Sequence, residues 1–126
     1  DSVASRGLGD VYKRQILHNS RCGKSREAMK ILEESNKEFT VREYLKNPLN
    51  KEEIVSILGK LNVKPMDIIR TNEEEWKTNF RGKELSDEEL IDAMIAYPKL
   101  IQRPIVFDEK SGVVGRPTEL VKEFIQ

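Results

Sequence analysis

The apolar periodicity of this chain changes several times along its length, and the order of those changes constrains the fold more than any other feature. Ile16-Leu17-His18 reads as the end of a strand, and Asn19 to Gly23 as a turn. Ser25 to Ser35 then carries Ala28, Ile31 and Leu32 at helical spacing. Phe39 to Leu45 alternates and is β-rich, which predicts a second strand closed by Asn47-Pro48. Asn50 with Glu53 forms a capping box for a helix whose inner face is Ile54, Ile57, Leu58 and Leu61. Pro65 starts a short helix with Met66, Ile68 and Ile69, and the polar stretch Thr71 to Glu84 is a loop or short helix. Ser86 and Glu89 form a second capping box, followed by Leu90, Ile91, Met94 and Ile95 in a helix that Pro98 stops. Pro104 to Phe107 is a third strand, Asp108 to Gly112 a hairpin turn, and Val113-Val114 a fourth strand. Pro117 sits where a last helix begins, with Leu120, Val121, Phe124 and Ile125 facing inward. The order is therefore β-α-β, three helices, then β-β-α, which predicts an α/β layered domain.

The chain has 126 residues, the size of one domain. Its 22 basic and 22 acidic residues cancel, so no global field draws it to nucleic acid or to a membrane surface. No apolar run reaches the ~18 residues of a membrane span. One cysteine, Cys22, excludes an internal disulfide and fits a reducing, cytoplasmic compartment. One Cys and one His cannot complete a zinc site without several carboxylates, so no metal is expected. There is no phosphate-binding GxxxxGK[ST] loop and no dinucleotide-binding glycine motif, so no bound cofactor is expected either. Residues 1–15, DSVASRGLGDVYKRQ, lack an amphipathic period and carry two glycines. They read as a foreign leader or a misjoined reading frame, leaving residues 16–126 as the domain.

The chemistry concentrates in His18-Asn19-Ser20-Arg21-Cys22-Gly23-Lys24-Ser25-Arg26. A strand ends, a tight loop follows and a helix starts, so Cys22 lies at or just before a helix N-terminus. Unpaired backbone N–H groups there favour a thiolate, as do Arg21, Lys24 and Arg26 nearby. Ser25 is placed to offer a hydroxyl to the sulfur. A lone cysteine is more commonly a small buried apolar residue, but Arg, Gly, Lys and Ser do not make an apolar face. Acidity alone achieves little. A pKa falling from ~8.5 to ~6.5 raises the thiolate fraction at neutral pH roughly 25-fold, while nucleophilicity drops about eightfold at a Brønsted slope near 0.45. The remaining gain is about threefold, so the loop must also hold what the sulfur attacks, and a helix N-terminus is an oxyanion site as well.

HNSRCGKSR, IIRTNE (residues 68–73), QRPIVF (102–107) and GRPTELV (115–121), in this order and spacing, resemble the glutaredoxin-linked arsenate reductases. The resemblance spans about Ile16 to Gln126. It implies a thioredoxin-like fold, a mixed four-stranded sheet flanked by helices, with a helical insertion of about residues 50–100 between strands 2 and 3. It also implies that Cys22 is the nucleophile toward arsenate, that His18 and Ser25 keep it a thiolate, and that Asn19 shapes the loop. Arg70, Arg103 and Arg116 stand where the family binds the oxyanion, and Pro104 matches its cis-proline beside the active cysteine. The family has Pro where this chain has Ser20. Position 25 is Ser, so the chain has no second thiol, and an external one is required. The resemblance implies glutathione as co-substrate and glutaredoxin as partner.

Two other functions fit the same residues. One is a glutathione-linked thiol oxidoreductase acting on another substrate. The other is a non-catalytic relative that binds RNA polymerase as a redox regulator, a branch that usually carries CxxC, where this chain has Cys22-Gly-Lys-Ser25. Glu73-Glu74-Glu75 and Asp87-Glu88-Glu89 are expected to be solvated charge runs. Trp76 and Phe80 are expected to pack the insertion onto the core.

Overall fold

The structure, a computed structural model, describes residues 14–126. Four short strands form one sheet in the order β2-β1-β3-β4: β1 Gln15–Leu17, β2 Thr40–Arg42, β3 Ile105–Phe107 and β4 Gly112–Val114. β1 runs parallel to β2 and antiparallel to β3, and β3 and β4 form an antiparallel hairpin. This is the thioredoxin-like mixed sheet. Helix α1, Gly23–Glu34, makes the crossover between the parallel pair, and α5, Glu119–Ile125, follows β4. Between β2 and β3 lie α2 (Lys51–Leu61), α3 (Glu74–Asn79) and α4 (Asp87–Ala96), with 3-10 turns at Pro65–Ile68 and Pro98–Leu100. These form the helical insertion.

The period of two along the central strands builds two cores. Ile16 and Val106 are register partners, fully buried on one face with Ala28 and Leu32 of α1 and Val121 and Ile125 of α5. Their neighbours Leu17, Ile105 and Phe107 point the other way, into a larger core with Ile54, Ile57 and Leu58 of α2 and Leu90, Ile91 and Met94 of α4. Burying each such side chain contributes about 1.5–3 kcal/mol, which is how strands of three residues hold their place. Both capping boxes form: Asn50 accepts from the Glu53 N–H at 2.8 Å, and Ser86 Oγ accepts from the Glu89 N–H at 3.1 Å. Trp76 is 7% exposed in the larger core, with the Phe80 ring 5.5 Å from its own, so the insertion is anchored as expected.

The structure differs from the sequence reading at several edges. Residues 1–13 of the presumed leader lie outside the described residues. Gln15 pairs with Thr40 and Phe107, so β1 takes in one residue assigned to that leader, and Arg14 O just before it accepts from Thr40 N–H at 2.8 Å. β2 is shorter than Phe39–Leu45, because Lys46 and Asn47 N–H bond back to Glu43 O and turn the chain. Pro117 does not open α5. It follows a cis peptide bond, and the helix starts two residues on, after Thr118.

Candidate active site

Cys22 is the N-cap of α1, with extended backbone (φ −93°, ψ 124°), and its own N–H bonds to Asn19 O at 2.9 Å. Asn19 also accepts from Arg21 N–H through Oδ1 at 3.0 Å. These two bonds coil residues 19–22 into a compact turn that delivers the sulfur to the start of the helix, the role expected of Asn19. Ser20 O accepts from Arg26 Nη1 at 3.0 Å, which ties the loop to α1.

The cysteine is 8% exposed but belongs to neither apolar cluster. Burial pushes its pKa up, yet the Ser25 N–H, the Arg103 guanidinium and the Lys24 N–H together outweigh burial and bring it down from 9.0 to about 7. Arg116 Nη2 also points at the sulfur, 3.7 Å from Sγ, while its Nε donates to Arg103 O at 2.8 Å. A thiol held this way is about half ionised at neutral pH.

Ser25 acts differently from the sequence expectation. Its backbone N–H supports the sulfur, while its fully buried hydroxyl oxygen accepts from Asn19 N–H at 3.4 Å. His18 is also placed at the site, but burial, aided by the Arg26 charge and opposed by Glu43, holds its pKa below the usual 6.5. It is therefore neutral at neutral pH and provides no cation for the thiolate.

The three arginines converge from separate segments. Arg103 and Arg116 each precede a proline in cis, and Gly115 N–H bonds to Pro104 O at 2.8 Å, which joins the two loops. Pro104 is cis, as expected. Arg70 comes from the insertion. An Ile69–Ile101 bridge, with Arg70 N–H to Leu100 O at 2.7 Å and Gln102 N–H to Ile68 O at 2.8 Å, staples its loop to the Arg103 loop. Arg70 Nη1 then donates to Gln102 Oε1 at 3.0 Å and its Nε to Glu73 Oε2 at 3.1 Å. Arg103 Nη1 lies 3.8 Å from that same oxygen. Glu73 is thus no solvated run residue; its side chain is 22% exposed and stands among the arginines. A cavity of about 440 Å³ opens on the Arg103 and Glu73 side of the site, lined also by His18, Asn19 and Glu43 but not by Cys22, Arg70 or Arg116.

Among the described residues, four buried side-chain polar atoms lack a hydrogen-bond partner, and three are at this site: His18 Nδ1, Tyr44 OH and Arg103 Nε. Tyr44 is fully buried; burial raises its pKa, with the Arg103 charge opposing. Sequence reasoning missed Glu73, Gln102 and Tyr44. The available signal for Glu73 was its spacing of three from Arg70, the reach of a side-chain pair in one turn.

No group of His, Cys, Asp and Glu suited to a metal is found among the described residues, and none of their helices is long and apolar enough to cross a membrane. The ArsC family profile matches residues 17–124. The chain belongs to the ArsC family. Among its relatives, an arsenate reductase of Haemophilus influenzae is 35% identical over 112 residues, covering 87% of this chain and 97% of that one. The uncharacterized protein YfgD of Escherichia coli K12 is 37% identical over 115 residues, covering 88% and 95%. The solved structure of an arsenate reductase from Vibrio cholerae superposes with a TM-score of 0.83 at 36% identity, covering 90% of this chain and 98% of that one. The thioredoxin-like fold of this ArsC-family protein is thus seen in its sheet topology and in its structural relatives.

Proposed function

We propose that this ArsC-family protein reduces arsenate to arsenite, with glutathione as co-substrate and glutaredoxin as recycling partner, in the reducing cytoplasm. The observation that carries the reading is a sulfur brought to a pKa of about 7, facing the guanidinium of Arg116 with that of Arg103 beside it. Thiolate and arsenate repel by about 4 kcal/mol for two unit charges at ~4 Å and an effective dielectric of ~20. Planar guanidinium groups suit the cancelling of that repulsion, because they grip tetrahedral oxyanions and keep their charge. Cys22 Sγ attacks arsenic(V), a sulfur–arsenic bond forms, and one arsenic–oxygen bond breaks, its oxygen leaving as water after proton uptake. Glutathione then attacks the adduct. Arsenic gains two electrons from two thiols, which end joined as a Cys22–glutathione disulfide, and arsenite departs. With one cysteine in the chain, the second thiol has to come from outside. Glutaredoxin clears the mixed disulfide.

Similarity to the Haemophilus and Vibrio arsenate reductases supports this reading at the level of family. A coupled assay with arsenate, glutathione, glutaredoxin and NADPH tests it, the NADPH belonging to the recycling system. Arsenate-dependent NADPH oxidation with arsenite formed is the expected result. Glutathione-disulfide turnover on other substrates without arsenite would assign a different thiol oxidoreductase.

A further inference from the structure

Glu73 stands at the N-cap position of α3, and its carboxylate makes no hydrogen bond to its own helix. A tight turn, Glu73 N–H to Arg70 O at 3.2 Å, folds it back on Arg70 instead. One oxygen, Oε2, then sits between two guanidinium groups, 3.1 Å from Arg70 Nε and 3.8 Å from Arg103 Nη1. Both arginine side chains are largely buried, at 15% and 14% exposed, so little solvent screens the trio. Gln102 already orients Arg70 from its other edge through Oε1. Glu73 is therefore not needed to fix Arg70, and its dominant electrostatic effect is to offset positive charge.

We propose that Glu73 is a displaceable place-holder: its carboxylate occupies the position of an oxyanion oxygen between Arg70 and Arg103, and so sets the affinity of the site for small tetrahedral dianions. The proposal rests on the reading above that these arginines receive an oxyanion. Two guanidinium charges shared with one carboxylate present about half the attraction that they would offer alone. Without a carboxylate in place, a dianion would meet both in full. Such a competitor also prevents the clamp from holding an abundant ordinary oxyanion, such as sulfate or phosphate, permanently beside a reactive thiol.

The test is the Glu73→Gln variant, which keeps shape and hydrogen bonding and removes the charge, with Glu73→Ala beside it and a thermal melt of each to check folding. Sulfate, which does not react, is titrated while alkylation of Cys22 by iodoacetamide is followed, and the reading is the sulfate concentration giving half-maximal protection. That ratio is insensitive to any change in intrinsic thiol reactivity. Half-protection is expected at about tenfold less sulfate in both variants than in the wild type, with arsenate KM lowered in parallel and more than kcat is changed. Unchanged or weaker protection would make Glu73 an orienting residue and overturn the proposal, as would no protection in any of the proteins. Protection that shifts as expected in a protein that never forms arsenite would leave the place-holder standing and remove arsenate reduction.

Discussion

Replacing Arg103 by Gln separates the electrostatics of the site from its shape. The Arg103 guanidinium lowers the pKa of Cys22, alongside the N–H groups of Ser25 and Lys24. An opposite charge at contact moves a pKa by about 1–3 units, and the low end applies here because Glu73 already offsets part of the Arg103 charge and the N–H groups remain. The midpoint should therefore rise from about 7 to about 8. Thiolate at neutral pH falls from about half to about a tenth, while each remaining thiolate becomes about threefold more nucleophilic. Below pH ~6 the variant should be alkylated about three- to fourfold more slowly, and above pH ~9.5 about threefold faster. The two pH–rate curves must cross between the two midpoints. Pseudo-first-order iodoacetamide rates between about pH 5 and 10 give both curves, and the rise in thiolate absorbance gives the midpoints independently. A midpoint that stays put or falls, or curves that never cross, would show that the guanidinium does not govern the sulfur.

Other consequences follow from the same geometry. Tyr44→Phe removes a buried hydroxyl that lies against the Arg103 guanidinium without a full hydrogen bond to it, so urea denaturation should find no loss of stability. A loss of stability would show that the hydroxyl is bonded in solution. Burial holds His18 below its ordinary 6.5, so the unfolded chain takes up this proton first. The native state then binds fewer protons, and stability should fall as pH drops from about 6.5 through the lower folded midpoint. His18→Gln should flatten that part of the stability profile, as melting between pH 5 and 8 would reveal. A Cβ on Gly115 would meet Val121 Cγ2 at 2.7 Å and Pro104 Cγ at 2.9 Å. Gly115→Ala should cost about 1–3 kcal/mol in denaturant and slow the chemistry at Cys22 by shifting the Pro104 loop.

Elements whose signals are local were legible in the sequence. Both capping boxes, the stop of α4 before Pro98 and the helical spacing of Ala28 and Leu32 appear in the structure as read. The position of Cys22 at the start of α1 was equally local, because a strand end, a turn and a helix follow one another within a few residues. What the sequence hid depends on pairing at long range. The strand end at Ile16-Leu17 implies that the residues before it complete the strand, but only the pairing of Gln15 with Thr40 and Phe107 shows where β1 begins. Glu73 reads as one of three exposed acids until the Ile69–Ile101 bridge carries the Arg70 turn against Arg103. Ser25 reads as a neighbour of the sulfur, but the structure supports the sulfur with its N–H and turns its hydroxyl oxygen to the Asn19 N–H, a division that only the helix geometry reveals.

Cys22 holds the one thiol of this chain, and the proposed reduction of arsenate has to pass through it. Arsenite formed by the wild type and by Cys22→Ser, each supplied with arsenate, glutathione and glutaredoxin, tests this most directly. The wild type should form arsenite and the variant none above background; arsenite from the variant at a comparable rate would refute the role of Cys22.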